Sequence, residues 1–350
     1  MSGRRTLAGA GAVAAGLAGA ALVRAVVFPG RREPGPSGAD GSQPAEPAAW
    51  PPGARHHRIV VSDGAVLHVA EAGAGRPVLL VHGMALSAAV WSGQLLRLPR
   101  LGLRVLAVDL RGHGRSGIGS GGLAFDRVAA DIGEVAERLG LRDVVLVGHS
   151  IGAMAVLRLL AVDPPLASGE SWVAALVLVA TSARPAGGRG IPGLRLALLA
   201  SRPALEMAAN LSRLLVGPTL IDHEAVDPIA AVTFGEHAEP AAVGVVRRVS
   251  AAVPARTTLE LALRAAARLD QRSCLAGIAV PTAVVVGTDD LVTPPSHARE
   301  LASAIPGAEL VELDGCGHEV MLESPERLEA VISALACGTG RGRAAGGGGG

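Results

Sequence analysis

Tyrosine is absent from this chain of 350 residues, and all aromatic residues together make up 2% of it. That scarcity belongs to a general bias toward alanine, glycine and arginine and carries no functional signal. The hydrophobic fraction of 49%, which would otherwise look membrane-like, is largely alanine. Surplus charge is missing too: the formal net charge is +1 and the arginines are scattered, so there is no basic footprint for nucleic acid. The three cysteines, Cys274, Cys316 and Cys337, form no CxxC pair, which excludes a disulfide framework and a zinc site of the usual spacing. Cys316 lies beside His318, but a cysteine in such a loop reads as a small buried filler rather than a nucleophile. No repeat of solenoid period occurs. The Gly-rich stretch VDLRGHGRS (residues 108–116) lacks the Lys-Ser/Thr of a phosphate-binding loop and the spacing of a dinucleotide fingerprint. No cofactor or metal is expected, and Asp109, Arg111 and His113 read as braces for loops at strand ends.

What is present falls into four parts. Residues 7–23 are uncharged and rich in Ala and Gly, with Arg4 and Arg5 before them and Arg24 after. Their length is near the lower limit for a spanning helix. Residues 1–28 are therefore expected to be a hydrophobic N-terminal segment that associates with a membrane as an anchor. The alternatives are a cleaved export signal, with an Ala-x-Ala site such as Ala18 to Ala20, and a tail that leaves the protein cytoplasmic. Arginines on both flanks leave the orientation open. Residues 29–55, rich in Pro, Gly and Ala without apolar periodicity, predict a disordered linker. Residues 337–350 predict a disordered Gly-rich tail.

Residues 56–336 form the folded domain. HRIVVS and AVLHVAEA, joined by Asp63-Gly64, read as an antiparallel hairpin. PVLLVHG, LRVLAVD, DVVLVGH, WVAALVLVA, PTAVVVG and AELVELDG follow as continuous apolar runs, which strands covered on both faces require. Between them, FDRVAADIGEVAERLG places Val128, Ile132, Val135 and Leu139 on one helical stripe. The expected fold is α/β, a mostly parallel, doubly wound sheet of eight strands. From about residue 183 to 273 the alternation stops and only helix-like pieces occur. An insertion of that size predicts a helical cap over the strand ends, where open α/β sheets bind ligands.

The chemistry centres on VVLVGHSIGA. Gly148-His149-Ser150-Ile151-Gly152 is a G-x-S-x-G pattern between a strand and a helix, the context in which a strained turn presents a serine hydroxyl. A serine nucleophile needs a base, and the base needs an orienting acid. His318, in the Gly-flanked loop of VELDGCGHEVMLESPE after the last strand, is the candidate base. His56, His57, His68, His223, His237 and His297 read as surface or structural residues. VVVGTDDLVTPP offers Asp289 and Asp290 as candidate acids, and no carboxylate follows the preceding strand in VLVATSAR. Attack on an ester carbonyl also needs preorganised N–H donors for the oxyanion. The backbone of Ile151, at a helix N-terminus, supplies one. That of Met84, after His82-Gly83, supplies the other.

Taken together, VLLVHGM, AVDLRGHGRS, VVLVGHSIGA, VVVGTDDLVTPP and GCGHEVMLESPE resemble the α/β-hydrolase family over about residues 57 to 336. The resemblance implies a Ser-His-Asp hydrolase that needs no cofactor, with a helical cap. It favours Asp290 over Asp289, because Asp290 fits the Gly-x-x-Asp spacing after Gly287. The chain order Ser150, Asp290, His318 is also the family's. The N-terminal segment is similar to that of membrane-associated actinobacterial members. Serine at 150 departs from the epoxide hydrolases and haloalkane dehalogenases, which carry aspartate there. The Leu-, Val- and Ala-rich cap predicts a small-molecule apolar ester of short or medium acyl chain as substrate. The alternatives are a cofactor-free perhydrolase or haloperoxidase-like enzyme, and a catalytically silent binding module on this fold.

Overall fold

The computed structural model describes residues 50–168, 172–184, 232–236, 238–268 and 270–338. Eight strands make one sheet: β1 (Arg55–Val60), β2 (Val66–Gly73), β3 (Arg76–Val81), β4 (Leu103–Val108), β5 (Val144–His149), β6 (Val173–Val179), β7 (Thr282–Gly287) and β8 (Glu309–Leu313). Their order across the sheet is β1-β2-β4-β3-β5-β6-β7-β8. The β1–β2 and β2–β4 pairings are antiparallel and all the others parallel. The expected hairpin forms at Asp63-Gly64, where Gly64 takes φ +83, a conformation in which a side chain would be strained.

The continuous apolar runs are explained by packing on two sides. In β3, Leu79 and Val81 belong to one core cluster while Val78 and Leu80 belong to the other; in β5, Val144 and Leu146 divide from Val145 and Val147 in the same way. With a side-chain period of two, both faces of these central strands must be apolar. The helices Phe125–Arg138, Ile151–Val162 and Pro295–Ala304 contribute Val128, Ile132, Val156 and Leu301 to the first cluster. The short helix Ala88–Trp91 and the helix Pro325–Gly338 contribute Trp91, Leu328 and Ile332 to the second.

The folded region extends past the boundaries expected from composition. Trp50 packs edge-on against His56 and His68, with ring centroids 5.2 and 5.7 Å away, and β1 starts at Arg55. Residues 50–55, which were expected to belong to the linker, are thus joined to the fold by the Trp50 ring and by the pairing of Arg55 with Glu71. At the other end the last helix carries through Gly338. The anchor expected at residues 7–23, the rest of the linker and the end of the tail lie outside the described residues. Among the described residues no helix is long and apolar enough to cross a membrane.

Of the interval expected to form the cap, much lies outside the described residues. The rest contains the helices Pro240–Ala251 and Ala255–Arg268. Val246 and Val249 join the cluster that holds Trp91, and Phe234 packs there as well. Thr257 meets the loop after β4, its Cγ2 lying 2.9 Å from where a Cβ on Gly112 would sit.

Candidate active site

The carboxyl ends of β3, β5, β7 and β8 bring the candidate residues to one place. Ser150 follows β5 directly and has φ 52, ψ −121, a strained backbone for a residue with a side chain. Its N–H donates to the Val179 carbonyl (2.9 Å). Its own carbonyl accepts from the Thr181 hydroxyl (2.8 Å) and the Met154 N–H (3.1 Å). The flanking glycines are required by close approach: a Cβ on Gly148 would lie 2.5 Å from Ala153 Cα, and one on Gly152 would lie 2.4 Å from the His82 carbonyl oxygen. No other residue lets strand, turn and helix pack this tightly.

His318 is buried, with its Nε2 3.0 Å from Ser150 Oγ and its Nδ1 2.8 Å from Asp290 Oδ2. Asp290 is held by its own loop. Oδ1 accepts the N–H groups of Val292 and Thr293 (2.8 Å each), and Oδ2 also accepts the Thr293 hydroxyl (2.8 Å). Because Nδ1 must donate to the carboxylate, Nε2 is left as the acceptor facing the serine. Burial works to lower the His318 pKa, but the carboxylates of Asp290, Glu319 and Glu323 together outweigh it, and the pKa is raised above 6.5. Asp289 points elsewhere: its carboxylate accepts from the Glu236 N–H at 3.4 Å.

The oxyanion side is built from the loop after β3. Gly83 abuts the nucleophile, since a Cβ there would be 3.2 Å from Ser150 Cβ and 2.7 Å from His149 Nδ1. Met84 is the next residue, with an exposed side chain, and Ile151 opens the helix Ile151–Val162. Both candidate amides therefore belong to segments that flank Ser150.

Several contributors were not singled out by sequence reasoning. His149, the middle residue of the elbow, is buried and donates from Nε2 to the His318 carbonyl (3.0 Å). Burial and the adjacent His318 hold its pKa well below 6.5, so it stays neutral. Thr293 braces the acid and Thr181 braces the elbow. The Asp-x-x-Thr spacing from Asp290 to Thr293, ahead of two prolines, was a readable signal for a side chain that caps its own loop. Nothing local marks Thr181 or His149.

The remaining candidates sort as bracing groups. Asp109 accepts the N–H of Ala88 (2.6 Å) and of Arg115 (2.9 Å) and bonds His68 Nδ1 (2.7 Å). Arg111 is fully buried between Asp131 and Asp63, and His113 Nδ1 meets the Arg111 carbonyl. His57 pairs with Glu71, His297 is buried in its helix, and His223 and His237 lie outside the described residues. Burial pushes the Cys316 thiol up to about 11, which leaves it protonated and poorly nucleophilic near neutral pH. Among the described residues no group of three or more His, Cys, Asp or Glu side chains is arranged to hold a metal ion.

Comparison with known proteins bears on the family and the fold. The alpha/beta hydrolase fold family model matches residues 76–325. A non-heme chloroperoxidase of Streptomyces lividans is 31% identical over 284 residues, covering 79% of this chain and 98% of that one. A stretch of 103 residues is 47% identical to a non-heme haloperoxidase of Rhodococcus erythropolis, covering 29% of this chain and 38% of that protein. The solved structure of an esterase from Exiguobacterium antarcticum superposes with a TM-score of 0.69 at 23% identity, over 81% of this chain and all of that one.

Proposed function

This chain belongs to the α/β-hydrolase fold family, and we propose that within it the protein is a serine hydrolase that cleaves carboxylic esters of small or medium apolar acyl groups. The observation that carries the reading is the continuous chain from Ser150 Oγ through His318 to Asp290, with separations of 3.0 and 2.8 Å. In this reading His318 Nε2 takes the hydroxyl proton as Oγ attacks the ester carbonyl. The oxyanion is received by the amides of Ile151 and Met84. The tetrahedral intermediate collapses as His318 returns the proton to the leaving alkoxide, and the alcohol departs. A water then gives its proton to His318, attacks the acyl-Ser150 ester, and releases the carboxylic acid with Ser150 restored.

The preference for apolar acyl groups rests on the Leu-, Val- and Ala-rich sequence between β6 and β7. Capping of the site by that insertion is part of the proposal, as is membrane association through residues 7–23, which fractionation of the full chain tests. A second reading is favoured by the haloperoxidase names of two relatives. There hydrogen peroxide replaces water at the acyl-enzyme, so that a peracid leaves instead of an acid.

The test is a series of p-nitrophenyl esters of increasing chain length, with and without peroxide, on the full chain and on Ser150→Ala. We expect hydrolysis without peroxide, greatest for short to medium chains, and a loss on the order of 10⁶-fold in Ser150→Ala. Turnover that survives the substitution would remove Ser150 as nucleophile. Peracid formation that outruns hydrolysis would favour the second reading, and a folded wild type that turns over no ester would favour a binding module.

A further inference from the structure

We propose that Glu323 is a positioning residue for the base, a single carboxylate that latches the returning end of the β6–β7 insertion to the loop carrying His318. The inference rests on the reading of His318 as the base of an ester hydrolase. Four hydrogen bonds carry it. Glu323 Oε2 accepts the N–H of Gly235 (2.7 Å) and of Gly317 (3.0 Å), and Oε1 accepts the N–H of Glu319 (3.1 Å). The His318 N–H itself donates to the Thr233 carbonyl (2.5 Å). One carboxylate thus takes amides on both sides of His318 and one from the insertion, while the histidine's own amide is held by that same insertion.

The segments also touch backbone to backbone. A Cβ on Gly317 would fall 2.4 Å from Gly235 N, one on Gly235 would fall 2.1 Å from the Gly315 carbonyl oxygen, and one on Gly287, at the end of β7, would fall 2.2 Å from the Cys316 carbonyl oxygen. The base loop is therefore clasped between a sheet strand on one side and the insertion on the other, at distances that tolerate no side chain. Phe234, between the two latched residues, is buried in the core with Val320 and Met321, which fixes the return segment laterally.

The consequence is a division of labour. Ser150 and Asp290 are registered to the sheet by β5, β6 and β7. His318 is registered in addition to the insertion through its own N–H and the Glu323 carboxylate, whereas the acid loop meets the return segment through the longer Glu236–Asp289 contact (3.4 Å), so a shift of that segment displaces the base from the serine more than it displaces the acid. A displacement of about 1 Å in such a contact is enough to cost roughly a hundredfold in rate. The carboxylates of Asp290, Glu319 and Glu323 all favour the charged form of His318, whose ring also packs against that of His149 with centroids 4.9 Å apart, so removal of the Glu323 charge also disfavours the imidazolium.

The experiment compares Glu323→Gln and Glu323→Ala with wild type on p-nitrophenyl acetate, together with thermal unfolding. We expect kcat to fall roughly tenfold in Glu323→Gln and roughly a hundredfold in Glu323→Ala, with KM within about threefold of wild type. The acid limb of kcat/KM should move to lower pH in both. The isosteric glutamine keeps one acceptor oxygen and carries the test alone if the alanine variant does not fold. A folded Glu323→Gln with wild-type kcat overturns the proposal. So does a lowered kcat with an unmoved acid limb, which marks a purely structural role, or a raised KM at constant kcat, which places the carboxylate in the substrate site. Ester turnover that survives Ser150→Ala would instead overturn the underlying reading of the site, and the two failures are separable in one assay.

Discussion

Among the described residues there are two buried His–Asp pairs joined by the same Nδ1–Oδ2 contact at nearly the same distance. His318 Nδ1 lies 2.8 Å from Asp290 Oδ2, and His68 Nδ1 lies 2.7 Å from Asp109 Oδ2. Both carboxylates are further held by two backbone amides. The pairs differ in what the far imidazole nitrogen meets. For His318 it is the hydroxyl of a serine on a strained turn; for His68 it is Nδ1 of His56, 2.9 Å away and covered by Trp50. A histidine oriented by a carboxylate is therefore not a catalytic device in itself. In the proposed mechanism the nucleophile and the neighbouring oxyanion amides make it one, and the same pair without them serves as a brace.

The largest effect that tests this contrast is expected at Asp290. Asp290→Asn removes the group that holds the His318 tautomer and raises its pKa, and kcat should fall by about 10⁴-fold. The sign of the pH change follows from the cause. The carboxylate is the largest of the groups that oppose burial and favour the imidazolium, so its loss moves the acid limb of the remaining activity to lower pH. Asp289→Asn, one residue away on the outward side, should leave kcat within about twofold. A larger loss at Asp289, read from the same ester assay, would show that the acid has been assigned to the wrong residue.

How much of this was readable beforehand divides along physical lines. The strands were legible because β3 to β7 are covered on both faces and so leave unbroken apolar runs, and the hairpin was legible because Asp63-Gly64 supplies the positive φ. The elbow was legible because its constraints are local: two glycines, a serine, and a helix that begins at once. Asp290 could be preferred over Asp289 only through a family spacing, although Thr293 three residues later carried a local reason. The latch at Glu323 and the braces at Thr181 and His149 were invisible, because each joins segments tens to hundreds of residues apart, and the His318 N–H beside them ends on the Thr233 carbonyl, which no side-chain identity announces. Ordering of residues 50–55 was hidden for a related reason: a single Trp50 in a Pro-rich stretch gives no periodicity, yet its ring has two histidines to pack on.

The bracing pair supplies the middle-sized test. Asp109 is buried, and although burial alone would raise its pKa, the bonds from His68, Arg115 and Ala88 lower it below 3.8. An acid with a depressed folded pKa contributes stability above its unfolded value and loses it as pH falls through the folded one. Asp109→Asn leaves a buried histidine and two amides without their charged partner. It should destabilise the fold by about 3–5 kcal/mol near neutral pH, with a smaller difference from wild type in acid. Turnover by the molecules that remain folded should fall less than about tenfold. Urea unfolding monitored beside the ester assay separates the two quantities. A loss of activity at Asp109 as large as that at Asp290, with stability unchanged, would erase the distinction between the two pairs.

The smallest expected effect on turnover, and the finest test, concerns Glu319, which follows the base in sequence. Its side chain is buried and Oε2 has no hydrogen-bond partner among the described residues. Burial first, and the nearby carboxylates of Glu323 and Asp290 against the attraction of His318, push it up from 4.5 to about 7. An acid whose folded pKa is raised binds a proton on folding between the two values, so stability falls as pH rises from about 4.5 to about 7 and is level beyond. Glu319→Gln removes that slope, and above pH 7 the variant should be more stable than wild type by up to roughly 3 kcal/mol. Because the ionised carboxylate also favours the His318 imidazolium, the acid limb of kcat/KM should shift slightly downward with kcat nearly unchanged. A Glu319→Gln that is less stable at pH 8 would mean that the carboxylate has a partner in solution, and that burial does not govern its titration.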